Sequence, residues 1–311
     1  TLDVISGSNA PLHQDPEALA VSRNVNSKLH FAEHAPQAGL PVPRTEVYSK
    51  RAIREGEADR MFSELPNGVM AKLLGLAGSR NVFAVDSVAD CLDQIVEYDD
   101  AVQILLQEKL DISQWREMTV DLTITPQDVS ISNVRQILFA GGKWVGNYIS
   151  PELEVPEAHK AVLMQVGAYA RDHGHVAKEG INCGIDYFVS GDEVIVTEIN
   201  ARWTGGLFPA EFLRRLAITQ PAVAFFDMVP EAQSEAVRTF QREHLFPAAG
   251  DSFAYVPMGF TPFAMEIEGA ERYFVWQIVV GDFASFVEAK RQALTEDAFP
   301  TAELILQEAL S

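Results

Sequence analysis

The chain has 311 residues, 47% of them apolar, which is enough for two or three structural units with substantial cores. Its 44 acidic residues against 24 Lys and Arg give a formal net charge of -20, which repels polyphosphate backbones and anionic bilayers, so neither nucleic acid nor membrane is an expected partner. Cys91 and Cys183 are too few and too far apart for a disulfide framework or a CxxC zinc site. No apolar run approaches membrane-spanning length, and a cytoplasmic protein is the expectation.

Residues 1 to 24 lack periodicity and read as an extended lead-in. Asn26 and Ser27 are caps for a helix from Lys28 to Ala35, ended by Pro36 and Gly39. Val69 to Leu74 is a short apolar strand holding Lys72, followed by a glycine-containing loop, Gly75 to Asn81, and a second strand, Val82 to Val85. Ser87 caps an amphipathic helix running through Val96. Gln103 to Gln107 reads as a buried strand, and Glu117 to Ile124 alternates like a sheet strand. Arg135 to Ala140 and Lys143 to Ile149 flank Gly141-Gly142, a hairpin signal. Pro156 opens a helix to about His173, closed by Gly174. Two strands, Gly184 to Val189 and Val194 to Asn200, surround Ser190-Gly191-Asp192, and another helix starts at Pro209. Beyond Val229 the pattern gives a helix, strands at Ala254 to Gly259 and Tyr273 to Val280, and a helix from Phe283 to Leu294. The hairpins imply antiparallel sheets and an α+β chain.

The strongest chemical signal is on the strand pair that carries Asp186, Glu198 and Asn200. Glu198 and Asn200 are two apart and share a face, and an odd-length loop, or a two-residue turn with a compensating bulge, brings Asp186 to that face as well. With an odd loop, Asp192 is the expected residue near the left-handed region. Two carboxylates and an amide oxygen form an all-oxygen site suited to Mg²⁺ or Mn²⁺ held jointly with phosphates. Lys72 ahead of Gly75, Gly78 and Ser79 offers a charge and an approachable backbone to phosphate, although alone it reads equally as a surface loop. The segment around Gln107, Glu108, Lys109 and Leu110 runs from an apolar strand into polar residues able to read a purine edge. There is no Walker motif and no GxSxG element, and His173 and His175 read as solvent-exposed rather than catalytic.

In order, these parts are a Lys in an apolar strand, a Gly loop, a helix, a Gln-Glu hinge, Trp115 to Asp121, then Asp186 and Glu198-Ile199-Asn200-Ala201-Arg202. The series, over about Asn26 to Ile218, resembles the ATP-grasp superfamily of carboxylate-amine ligases. The resemblance implies two α+β subdomains clasping ATP between antiparallel sheets. It gives residues 1–25 as lead-in, 26–109 as the subdomain with the phosphate flap, 110–228 as the one with the metal site, and 229–311 as an extension. The resemblance also implies that Lys28 and Lys72 contact ATP phosphates under a flap containing Gly78 and Ser79. Gln107, Glu108, Lys109 and Leu110 would hold adenine and Glu117 the ribose. Asp186, Glu198 and Asn200 would hold Mg²⁺, Arg202 would face the transferred phosphate or acyl group, and Gly205 and Gly206 would meet the carboxylate substrate.

The family usually places a Rossmann-like domain before the Lys28 helix, where this sequence has a short lead-in, so part of the acceptor pocket is expected to be missing or to come from another subunit of a homodimer. The activity implied is ATP-dependent joining of a small-molecule carboxylate to an amine, with amino acids or peptides as substrates. The alternatives are a carboxylase or kinase on the same scaffold, or an ATP-binding regulatory protein without turnover.

Overall fold

A computed structural model of the chain describes residues 16–73, 82–141, 143–247, 252–267 and 269–310. The chain divides into two compact units, residues 1–133 with 155–204, and residues 134–154 with 205–311.

The first unit opens with α1 (Pro16–Val25), so the end of the expected extended lead-in is helical. It continues through α2 (Lys28–His34), where the Ser27 hydroxyl accepts from the His30 amide at 3.3 Å, as its sequence position predicts. Then come β1 (Thr45–Ser49), α3 (Lys50–Arg54), α4 (Asp59–Glu64), β2 (Val69–Leu73), β3 (Val82–Val85), α5 (Val88–Gln94) and β4 (Gln103–Glu108). The strands form an antiparallel sheet in the order β1-β4-β2-β3. Val69, Ala71 and Leu73 alternate inward along β2 and join Ile53, Met61 and Cys91 of the covering helices in one core. Each such large side chain contributes about 1.5–3 kcal/mol by leaving water. Because β2 has a period of two, Lys72 is sent to the opposite face from this core.

The rest of the first unit is β5 (Arg116–Ile124), the start of β6 (Val129–Ala140), α6 (Glu157–Asp172), β8 (Ile181–Ser190) and β9 (Glu193–Asn200). β5, β8 and β9 pair antiparallel in that order. The edge left by β9 is covered by the Leu40 to Pro43 connector, whose Pro41 carbonyl accepts from the Val196 amide at 2.8 Å. Gly184 on β8 lets the segment after β9 lie close: a Cβ there would stand 2.4 Å from Thr204 Cγ2 and 3.3 Å from Asn200 Cβ. Gly184→Ala is therefore expected to lower stability by about 1–3 kcal/mol through overpacking, as read by urea unfolding. An unchanged midpoint would show that Thr204 yields freely.

The second unit holds the remainder of β6, β7 (Lys143–Ile149), α7 (Leu207–Arg215), β10 (Ala222–Pro230), α8 (Ser234–Glu243), β11 (Phe253–Phe260), β12 (Met265–Ile267), β13 (Ala270–Gly281), α9 (Phe283–Ala293) and α10 (Pro300–Leu304). Its strands run in the order β11-β13-β10-β7-β6, with β12 on β13. Phe225, Val279, Phe286 and Phe299 form its main core. β10 is an element that the sequence presents only as a short apolar run. Among the described residues no helix is long and apolar enough to cross a membrane.

Candidate active site

Asp186 of β8 pairs directly with Glu198 of β9. The hairpin reaches this register by the bulge route, not by an odd loop: Ser190 pairs with Glu193 around a two-residue turn, and the register then shifts between Asp186 and Tyr187. Gly191, not Asp192, takes the positive φ, +58°. Positive φ confined to the first turn residue is the pattern of a type II′ hairpin. Tyr187 pairs with Val196 and Asp186 with Glu198, so Thr197 is the inserted residue, and its hydroxyl donates to the Asp186 carbonyl at 3.1 Å. On the other side of β8, Thr119 of β5 lies opposite Asp186, with Glu117 two residues away on the same face.

The two carboxylates are held by different partners. Asn200, only 5% exposed, donates its amide N–H to Asp186 Oδ2 at 2.9 Å. The Lys28 ammonium, on the first residue of α2, makes an ion pair with Glu198 Oε2. Arg202 donates from Nη1 to Asn26 Oδ1, and its carbonyl accepts from Asn182 Nδ2 at 2.9 Å. Asn182 in turn donates to Asp121 Oδ1 at 2.9 Å, so a buried pair fixes the backbone on which Arg202 sits. Lys28, Phe31, Thr45, Lys72, Gln107 and Thr197 line one narrow crevice in this unit.

The electrostatics follow from this crowding. Burial pulls the Lys72 ammonium down to about 8, with Lys28 adding to the effect and Glu198, Glu117 and Asp186 opposing it. Burial, and then the Asp186 carboxylate, push Glu117 up to about 8. Burial and Glu198 push Asp186 up to about 6, against Thr119, Lys28 and Asn200. Glu198 goes the other way: burial raises it, but Lys28, Lys72 and Arg202 together outweigh burial and hold it below the ordinary carboxylate range. The face is short of positive charge beside Asp186 and Glu117.

A hard divalent cation fits that shortage. Asp186, Glu198 and Asn200 offer oxygen donors only, and the nearest thiol, Cys183, is paired with Leu122 one position off the polar face. Among the described residues no set of three His, Cys, Asp or Glu side chains converges on a metal, so such an ion would need Asn200 and phosphate oxygens to complete its shell.

Of the other sequence-derived candidates, Gln107 is 8% exposed and donates from Nε2 to Thr45 Oγ1 at 2.9 Å. Glu108, Lys109 and Leu110 follow as a half-buried stretch. The Glu108 amide donates to the Arg44 carbonyl at 2.8 Å and the Lys109 amide to the Gly68 carbonyl at 3.3 Å. Gly78 and Ser79 lie outside the described residues. Gly205 and Gly206 belong to the second unit, just before α7, where a Cβ on Gly206 would meet Asn147 Oδ1 at 2.5 Å. His175, expected at the surface, is 1% exposed and bonds through Nε2 to the Asn182 carbonyl at 3.0 Å, where it supports the Asn182–Asp121 pair. Thr119, Asn26 and Thr197 were not legible as site residues. For Thr119 a signal exists, since it alternates with Glu117 on β5.

No model of a known protein family matches the chain, and no curated protein matches it. Solved structures do. N5-carboxyaminoimidazole synthase from Aspergillus clavatus, in complex with ADP and 5-aminoimidazole ribonucleotide, aligns over 88% of this chain and 72% of its own at TM-score 0.57 and 14% identity. Phosphoribosylamine–glycine ligase from Thermotoga maritima aligns over 90% of this chain and 78% of its own at TM-score 0.56 and 14% identity. The biotin carboxylase domain of Hydrogenobacter thermophilus 2-oxoglutarate carboxylase, with MgADP, ADP and bicarbonate, aligns over 87% and 65% at TM-score 0.57 and 11% identity. Similarity at this identity speaks to architecture. With its α+β units, antiparallel sheets and these structural neighbours, the chain has the ATP-grasp fold.

Proposed function

We propose that this protein is an ATP-dependent carboxylate-amine ligase acting on small molecules, with amino acids or peptides as the substrate class. The observation that supports it most is the convergence, within one unit, of Lys28 and Lys72 with Asp186, Glu198 and Asn200. Two ammonium groups beside an all-oxygen donor set match the needs of a polyphosphate with its magnesium ion. In this reading residues 26–109 carry the phosphate flap with Gly78 and Ser79, and residues 110–228 the metal site. Glu117 takes the ribose, and the Glu108 carboxylate with the backbone at Lys109 and Leu110 reads adenine. The buried, reduced Cys91 and Cys183 suit a cytoplasmic setting.

The chemistry is phosphoryl transfer followed by acyl transfer. A substrate carboxylate oxygen attacks the γ-phosphorus, the bond to the β-phosphate breaks, and ADP leaves. The amine nitrogen then attacks the acyl carbon, inorganic phosphate departs, and the amine gives up its proton. Such transfers need alignment and charge neutralisation more than a protein nucleophile. Mg²⁺, held by Asp186, Glu198 and Asn200, would neutralise phosphate charge. Lys28 and Lys72 bind and orient the phosphates, and Arg202, anchored on Asn26, faces the transferred phosphoryl or acyl group. Gly205 and Gly206, at the start of α7, offer backbone N–H groups to the substrate carboxylate. A carboxylase is the second reading, favoured by the similarity to a bicarbonate-bound biotin carboxylase domain.

ADP and phosphate release with acid and amine mixtures tests the proposal: a ligase needs both, a carboxylase needs bicarbonate with an amine, and no release under any mixture removes the enzymatic reading. Lys72→Met is expected to weaken ATP binding by about 10-fold in calorimetry, since one phosphate contact is worth on the order of 1–2 kcal/mol. Unchanged affinity would reduce Lys72 to a packing role.

A further inference from the structure

Three imidazoles meet on the side of α2 turned away from Glu198. His30 and His34, one turn apart on α2, stack with centroids 4.1 Å apart and planes 16° from parallel. His173, which ends α6, lies edge-on 5.1 Å from His30 and 5.9 Å from His34, and the Tyr169 ring is 4.2 Å from it at a tilt of 42°. A carbonyl oxygen can only accept, so His34 Nδ1, 2.9 Å from the His30 carbonyl, and His173 Nδ1, 2.8 Å from the Tyr169 carbonyl, must be donors. His30 Nδ1 contacts the Tyr169 hydroxyl at 3.3 Å. Each ring is thereby oriented through Nδ1. The near-parallel His30 and His34 rings point their in-plane lone pairs side by side, and among the described residues no three His, Cys, Asp or Glu side chains converge as a metal site.

Positive charge on His30 is disfavoured. Two imidazolium rings at this separation repel, and the group is half-buried. Of the charged groups on α2 and the elements around it, Glu33 favours a proton on His30. Glu46 on β1 is engaged by Arg44 and Tyr48, Glu198 on β9 by Lys28, and Asp172 beside His173 by Arg171. Glu17 stands on α1. Burial, with His34 and His173, holds His30 below its ordinary value. α2 is only seven residues long, anchored by Phe31 against Tyr169 on one side and by Lys28 on the other.

We propose that the His30, His34 and His173 cluster is a proton-operated latch. Neutral, it holds α2 and so Lys28 in place; protonated, it releases the helix and loosens the Lys28–Glu198 ion pair. That release would lower ATP affinity rests on the function proposed above. The test is hydrogen exchange of the full chain without ligand at pH 7.5 and 5.5, corrected for intrinsic chemistry. One linked proton changes an opening equilibrium about tenfold per pH unit between its two pKa values, so α2 amides are expected to lose protection by roughly tenfold on acidification. In His30→Asn, which removes the ring held below its ordinary value, that response should shrink to about twofold or less as the linked proton is lost. His34→Gln, which removes one of the two neighbouring rings that lower His30, gives an intermediate response if His30→Asn folds poorly. A flat wild-type profile, or an unchanged response in the variants, overturns the latch. ATP calorimetry on the same samples keeps the two ideas apart. An exchange response without ATP binding sustains the latch and removes the nucleotide site, whereas ATP binding with a flat profile overturns the latch alone.

Discussion

Glu198→Gln is expected to cut ATP turnover by at least about 100-fold while the protein stays folded, because disturbing even the groups around a metal's ligands costs about 10- to 100-fold. The substitution hardly changes volume and leaves the strand pairing of Asp186 with position 198 intact. It removes one of the two carboxylates able to hold a divalent cation, and with it the ion-pair partner of Lys28. It also removes the largest influence that keeps Lys72 charged against burial, so the crevice loses positive charge as well as negative. Fold loss is not expected to contribute, because the Gln amide oxygen can still accept a hydrogen bond from the Lys28 ammonium, so neither side chain is left without a partner. A coupled ADP-release assay at saturating Mg²⁺, with thermal melting alongside, is the measurement. Wild-type turnover would remove Glu198 from the metal site, and Asp186→Asn, assayed the same way, shows whether the cation then rests on Asp186 and Asn200.

Much of this site is legible from residue order, and the exceptions have physical causes. Lys72, Gln107 and the Asp186, Glu198, Asn200 group sit on short strands whose period of two fixes their faces, and those strands form close to the expected bounds. What parity cannot supply is the bulge. Thr197 lies inside the unbroken run Val194 to Asn200, and nothing in its neighbours distinguishes an inserted residue from a paired one. Only the folded backbone decides between an odd loop and a turn with a bulge. β10 is hidden for another reason, because a short apolar run reads equally as strand or buried helix. His175 misleads because a histidine next to a helix-ending glycine looks solvent-facing, while its burial depends on a contact to Asn182 seven residues on.

Glu117→Gln should raise stability at pH 8.5 by about 2–4 kcal/mol and change it little at pH 5, an order of magnitude that follows from about 1.4 kcal/mol for each pH unit separating the folded from the unfolded pKa. Glu117 is half-buried, and burial with Asp186 outweighs the pull of Lys72 and raises its folded value from 4.5 to about 8. In the unfolded chain the same carboxyl ionises near its ordinary value. Between the two values the native state holds a proton that the unfolded state has lost, so stability falls as pH rises through this window. Asp186, raised from 3.8 to about 6, adds to the same slope in its lower half. Lys72 acts above it: its folded value of about 8 lies below the ordinary 10.5, so its contribution makes stability recover only as pH climbs from about 8 toward 10.5. Across the window from about pH 5 to 8 the two carboxyls share the decline with Asp227, which burial raises to about 7, while His30 and His175, held low by burial, oppose it at the acid end. Urea unfolding is therefore expected to show a decline in the wild type that Glu117→Gln makes shallower. Adding MgADP should flatten the wild-type slope too, since a bound cation supplies the charge that protons otherwise provide. A decline that survives Glu117→Gln unchanged would mean that the carboxyl of Glu117 is hydrated and ionises near its ordinary value, and does not belong to the charged face around Asp186.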